Sequence, residues 1–188
     1  MTTSWNVAHP GVRRTTLAAL WGTLILMVCG VAPPDSEFMR YDANAREVLL
    51  TVTAGYNASN SGFNFNGGFR GSHWITVPMG WRVRMTFANA DAMPHSLGVV
   101  REQKRVPAST LKPAFAGAVS RAWESGIPAG ARQDDITFVA AVPGAYWLAC
   151  GVPGHAVVGS YLRFTVSADA TVPTYETGIV AEGVVPRR

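Results

Sequence analysis

The plainest pattern in the chain runs from Trp81 to Ala88, where Trp81, Val83, Met85 and Phe87 alternate with Arg82, Arg84, Thr86 and Ala88. A period of two puts successive residues on opposite faces of a strand, so one face is predicted buried and the other wet. Similar short apolar or alternating runs predict strands over 48–53, 73–77, 96–100, 136–141, 145–150 and 160–166. Between them lie breaker-rich stretches. Residues 54–71 are crowded with Gly and Asn and read as loop, with at most a short strand at 63–65, while 78–80 and 89–94 read as turns. The polar, Gly- and Pro-punctuated stretch 101–135 predicts at most one helical turn, near 118–124. Seven or so short strands separated by turns predict an all-β, Greek-key β-sandwich.

Composition agrees with that reading. The 188 residues include 19 Gly and 12 Pro, and 48% are apolar while only 15% are charged, against about 25% charged in average globular domains. Disorder throughout is excluded, and the length predicts one domain with a tail. The formal charge of +4 includes Arg13 and Arg14. Without them it is too weak and too scattered for a nucleic-acid partner.

Arg13 and Arg14 precede an uncharged run from Leu17 to Ala32, which Pro33 and Pro34 then stop. This is the layout of a basic n-region and an apolar h-region. The run is shorter than the roughly 20 residues of a comfortable membrane span, so cleaved signal peptide and retained membrane anchor, each helical, are both open. The expected organisation is signal or anchor over 1–34, linker over 35–46, sandwich domain over 47–167 and a C-terminal tail over 168–188. Export would place the chain in the periplasm or at the cell surface.

Outside the apolar run the chain has one cysteine, Cys150. A lone thiol in an oxidising compartment is a liability that a metal would both protect and use. The sequence Cys150-Gly151-Val152-Pro153-Gly154-His155 supplies a thiolate and an imidazole on either side of a tight turn. Pro94-His95-Ser96, where a buried strand meets a turn, supplies a second imidazole. Two His and one Cys make the trigonal donor set of a blue copper electron-transfer site. The remaining histidines are His9, ahead of the apolar run, and His73, expected on the wet face of its strand. Multicopper oxidases and copper nitrite reductases need more histidines than these, and no Ser-His-Asp order, phosphate loop or zincin motif is present. The chain is not expected to be an enzyme.

The ordered series Phe63-Asn64-Phe65-Asn66-Gly67, Thr76-Val77-Pro78-Met79-Gly80-Trp81, Pro94-His95-Ser96 and Ala145-Tyr146-Trp147-Leu148-Ala149-Cys150-Gly151-Val152-Pro153-Gly154-His155 resembles the sulfocyanins, cupredoxins related in general pattern to rusticyanin. The resemblance spans roughly residues 48–166. It implies a monomeric carrier of one electron on one copper ion, Cu(I)/Cu(II), held by His95, Cys150 and His155. It also implies redox protein donors and acceptors of a respiratory chain, and attachment to the outer side of a membrane, here through the N-terminal segment. In the family a Met follows the second His by five residues, and here that position is Ser160. By parity Ser160 shares the inward face with Leu162, Phe164 and Val166, but its hydroxyl is too short to stand in for a thioether. A water or a backbone carbonyl is left to fill the axial position, or one of Met39, Met79, Met85 and Met93. The rival readings are a copper delivery or storage protein and a cupredoxin fold without copper that serves as a binding module.

Overall fold

The computed structural model describes residues 37–109 and 111–178. The segment expected to be signal or anchor, residues 1–34, lies outside the described residues, as does the end of the tail. Among the described residues no helix is long and apolar enough to cross a membrane.

The described chain forms nine strands: β1 (Met39–Asp42), β2 (Glu47–Ala54), β3 (His73–Pro78), β4 (Arg82–Asn89), β5 (Gly98–Arg101), β6 (Arg132–Val139), β7 (Gly144–Ala149), β8 (Tyr161–Ser167) and β9 (Thr174–Thr177). One short helix, α1 (His155–Val158), and a 3-10 turn over Ser59–Gly62 complete the elements. The strands make two sheets, ordered β1-β2-β4-β6 and β5-β7-β8-β3-β9. β2 runs parallel to β4, and β3 parallel to β8; the other pairs are antiparallel. β2 and β4 are parallel neighbours because the strand between them in sequence, β3, belongs to the opposite sheet.

The predicted alternation becomes the core. Val48, Leu50 and Val52 of β2, Val83, Met85 and Phe87 of β4, Ile75 and Val77 of β3, and Leu162, Phe164 and Val166 of β8 pack into one buried cluster joining both sheets. Arg82 and Arg84 point to solvent, where both pair with Glu47. At roughly 25 cal/mol per Å² of apolar surface removed from water, this shared cluster is the main force holding the sheets together.

Four features depart from the sequence reading. β1 lies within the stretch read as linker and β9 within the stretch read as tail, so the sandwich takes in residues on both sides of 47–167. Each is a four-residue edge strand whose place is set by its one neighbour, which leaves no periodic signal. Residues 118–124 form bends and turns instead of a helical turn, and the α-helix found among the described residues begins at His155, where the loop from Cys150 ends. His73 is buried instead of wet: Tyr175 of β9 covers it, Oη lying 3.2 Å from Nδ1. The polar stretch after β5 covers the outer face of β7. Its Leu111, with Val106 and Trp123, packs on Trp147 and Ala149 in a second buried cluster.

The Asn-rich loop between β2 and β3 is pinned from within. Buried Asn66 accepts from the Thr53 N–H and donates to the Thr51 carbonyl, both at 2.8 Å. Asn64 donates to the carbonyls of Asn57 and Ser59. Paired in this way, the two amides hold Phe65 in the core and Phe63 at one end of the sandwich.

Candidate metal centre

His95 is delivered by the turn that follows β4. Buried Asn89 shapes that turn, its Nδ2 donating to the carbonyls of Met93 and Ile127 and its Oδ1 accepting from the Asp91 N–H. His95 then exchanges backbone hydrogen bonds with Ile127. Its imidazole is fully buried. Nε2 lies 2.9 Å from Asp91 Oδ2. With Nε2–H donated to that carboxylate, Nδ1 is left with a free lone pair facing inward.

Cys150 follows β7 directly. Its N–H donates to the Ser160 carbonyl at 3.0 Å, and its buried Sγ lies 3.4 Å from the Ser96 N–H. The Ser96 hydroxyl accepts the Gly151 N–H at 2.8 Å and lies 3.7 Å from Sγ. The strand end carrying the sulfur and the strand end carrying His95 are thereby stitched together. The glycines at 98 and 151 let the Trp123 indole lie flat over the backbone beside Cys150. A methyl group at Gly151 would overlap indole Cδ2 and Cε2, and one at Gly98 would crowd Cζ3. The indole N–H donates to the Leu111 carbonyl at 2.9 Å.

His155 opens α1, half-buried. Phe63 meets its ring edge-on at 5.0 Å and the His95 ring at 6.0 Å. Asn60 ties this end together, donating to the carbonyls of Phe63 and Val158.

The three donor atoms form a nearly equilateral triangle: His95 Nδ1 to His155 Nδ1 is 3.4 Å, His155 Nδ1 to Cys150 Sγ 3.6 Å, and His95 Nδ1 to Sγ 3.8 Å. The point equidistant from them is about 2.1 Å from each, inside the bonding range of about 2.0–2.3 Å for imidazole and thiolate on a first-row ion. The residues fit one copper ion. Electrostatics agree with a site built for a cation. Burial, helped by His95 and partly offset by Asp91, holds His155 down at about 4, leaving its ring neutral near pH 7. Burial pushes the Cys150 thiol up, against the hydrogen bonds from Ser96 and Val152. Burial also works to raise Asp91, but the hydrogen bonds from His95 and the Ala92 N–H prevail and hold it below the ordinary carboxylate range.

His95, Cys150 and His155 therefore converge. Ser160 is fully buried beside them and in line with Leu162, Phe164 and Val166. Met39 and Met85 are packed in the core, whereas Met79 and Met93 are 48% and 39% exposed. From the sequence alone Asp91 has no role, Ser96 and Phe63 enter only through the motifs of the resemblance, and Trp123 reads as core or rim packing. For Asp91 the available signal was an acid four residues before a candidate ligand, within one turn.

A two-sheet β-sandwich with a buried Cys/His/His donor triangle at one end defines a cupredoxin, a blue copper protein. Residues 34–178 match the family model of the sulfocyanin (SoxE) domain, and the chain belongs to the sulfocyanin family. The sulfocyanin of Sulfolobus acidocaldarius is 29% identical over 140 residues, covering 71% of this chain and 70% of that protein. Similar solved structures include auracyanin B, 19% identical with a TM-score of 0.46 over 71% of this chain and 96% of that one. Auracyanin A of Chloroflexus aurantiacus, described as a "blue" copper protein, is 18% identical with a TM-score of 0.43 over 64% and 99% of the two chains. Membership makes the protein a cupredoxin electron carrier with a copper cofactor, and not an enzyme. Neither rival reading is favoured, since the full donor set is retained.

Proposed function

We propose that His95, Cys150 and His155 are the ligands of the copper ion and that the chain passes single electrons between donor and acceptor proteins of a respiratory chain. The observation that carries this reading is the donor triangle with its metal-sized centre. When bound, copper supplies a one-electron Cu(II)/Cu(I) couple, and the protein's groups do the rest. Asp91 and Ser96 fix the directions of Nδ1 and Sγ. Trp123 lies over the backbone at Gly151, next to Cys150, and Phe63 packs edge-on against both imidazoles. His155 is the one member of the trio that is not fully buried. It shares α1 with exposed Val157 and Val158, so its ring edge is the short route for an electron to a docked partner. One electron enters and one leaves, with no bond made or broken in the partner.

The protein works as a monomer on the extracytoplasmic side, with residues 1–34 as its signal or anchor and the copper domain beyond them. The decisive experiment is the visible spectrum of the oxidised, copper-loaded protein. An intense thiolate-to-copper absorption near about 600 nm is expected, and Cys150→Ala should abolish it while the circular dichroism of the β-sandwich stays. An absorption that survived Cys150→Ala would overturn the ligand assignment. For the anchor, full-length protein should sediment with membranes unless it is cleaved, and a chain lacking 1–34 should be soluble and take up copper. Aggregation with loss of copper uptake would place that segment in the fold.

A further inference from the structure

Ser160 lies between α1 and β8, and its backbone is tied to both residues of the Cys150–His155 loop that carry donors. Its N–H donates to the His155 carbonyl and its carbonyl accepts from the Cys150 N–H, each at 3.0 Å. The side chain is fully buried. Among the described residues its Oγ is the buried side-chain polar atom without a hydrogen-bond partner. The contrast with its neighbours is sharp. Ser96 Oγ accepts from Gly151, Ser120 Oγ from Leu97 and Ser72 Oγ from Phe69, while Asn64, Asn66 and Asn89 are each bonded at both ends of the amide. Buried polar atoms in folded proteins find partners, because an orphaned one forfeits the hydrogen bonds it had in water. An orphan on the residue whose backbone is bonded to both Cys150 and His155 points to a partner that is not a protein group.

We propose that the Ser160 hydroxyl holds a water molecule in the axial position of the copper site, so that the fourth contact to the metal is an exchangeable oxygen. This rests on the ligand assignment above and deepens it. A serine side chain ends too far back to replace a long donor by itself, and one hydrogen-bonded water makes up the difference. The water then has two polar partners, the hydroxyl and the cation, which is the least a buried water needs. A hard oxygen donor at this position distinguishes the site from one closed by a soft sulfur.

The test is pulsed electron paramagnetic resonance of the Cu(II) forms of the wild type, Ser160→Ala and Ser160→Met, each equilibrated in oxygen-17 water and each first shown to carry the thiolate absorption. The serine oxygen does not exchange with solvent, so a copper coupling to oxygen-17 reports the bound water alone. The wild type should show this coupling, and both variants should lose it, the alanine by removing the hydrogen-bond partner and the methionine by filling the space. A copper-loaded wild type without the coupling overturns the inference, as does a coupling that persists unchanged in Ser160→Ala. A wild type that binds no copper, or binds it without thiolate absorption, overturns the ligand assignment instead, so the two failures are distinguishable.

Discussion

Replacing Asp91 by asparagine removes a negative charge from the copper site while leaving an oxygen to accept the His95 Nε2–H. The carboxylate lies 2.9 Å from Nε2, and the imidazole and one metal–nitrogen bond put it about 6–7 Å from the metal position. At an effective dielectric constant of about 20, unit charges that far apart interact by about 2.5 kcal/mol. For a one-electron couple, at about 59 mV per factor of ten, this corresponds to about 100 mV. The Asp91 side chain is 17% exposed, and solvent screening reduces the effect towards about 50 mV. The charge favours Cu(II) over Cu(I), so Asp91→Asn should raise the reduction potential by about 50–100 mV. Spectroelectrochemical titration at fixed ionic strength measures this, with the thiolate absorption confirming an intact site. Asp91→Ala also removes the acceptor, and copper affinity should fall about 10- to 100-fold. A potential for Asp91→Asn within about 20 mV of wild type, with an unchanged spectrum, would refute the reasoning, because a carboxylate this close cannot be electrically silent in a low-dielectric site.

Proton linkage gives the next expectation. In the metal-free protein His155 titrates at about 4 against an ordinary 6.5, so between those values the unfolded chain binds more protons and stability falls as pH drops from about 6.5 towards about 4. Denaturant midpoints across that range check the sign, and a midpoint that rises on acidification would contradict it. Because burial pushes the Cys150 thiol up, copper uptake near neutrality should release its proton, and affinity should climb with pH. Calorimetry in buffers of different ionisation heat counts the protons, and uptake with none released would show that the thiolate is not a ligand. Gly151→Ala should cost about 1–3 kcal/mol through overlap with the Trp123 indole; a variant as stable as wild type would mean that the indole moves aside freely.

The donor trio was legible because Cys150 and His155 share one short loop, and because the proline before His95 marks a strand's end. The alternation in β4 likewise passed directly from sequence into core. Asp91 was harder, since an acid in a turn is unremarkable until the turn brings it back against an imidazole. The signal for His73 was present but outweighed: it shares parity with Ile75 and Val77, both buried, yet the Tyr175 that covers it lies 102 residues away. The unbroken apolar run Ala145–Cys150 marks a strand covered on both faces. What covers the outer face is Val106, Leu111 and Trp123, which are scattered singly through a polar stretch and carry no period of their own. β1 and β9 are positioned by pairing partners, which no local pattern encodes.

The placement of the donors on two separate connections of the chain has a mechanical consequence. His95 lies in the connection from β4 of the four-stranded sheet to β5 of the five-stranded sheet, and Cys150 and His155 lie in the connection from β7 to β8 of the five-stranded sheet. The thiol and the His95 ring come from positions 55 residues apart. An ion gripped by all three would act as a clasp, closing a long loop and fastening the β4–β5 connection to the β7–β8 connection at a single point. Fluctuations that part these two connections would have to break metal–ligand bonds, a constraint that does not reach edge strands such as β1 and β9, which have one neighbour each. A chain in which these two connections have not met would keep only Cys150 and His155, five residues apart, within reach of one ion, so the His95 contact is the one that reports the finished fold.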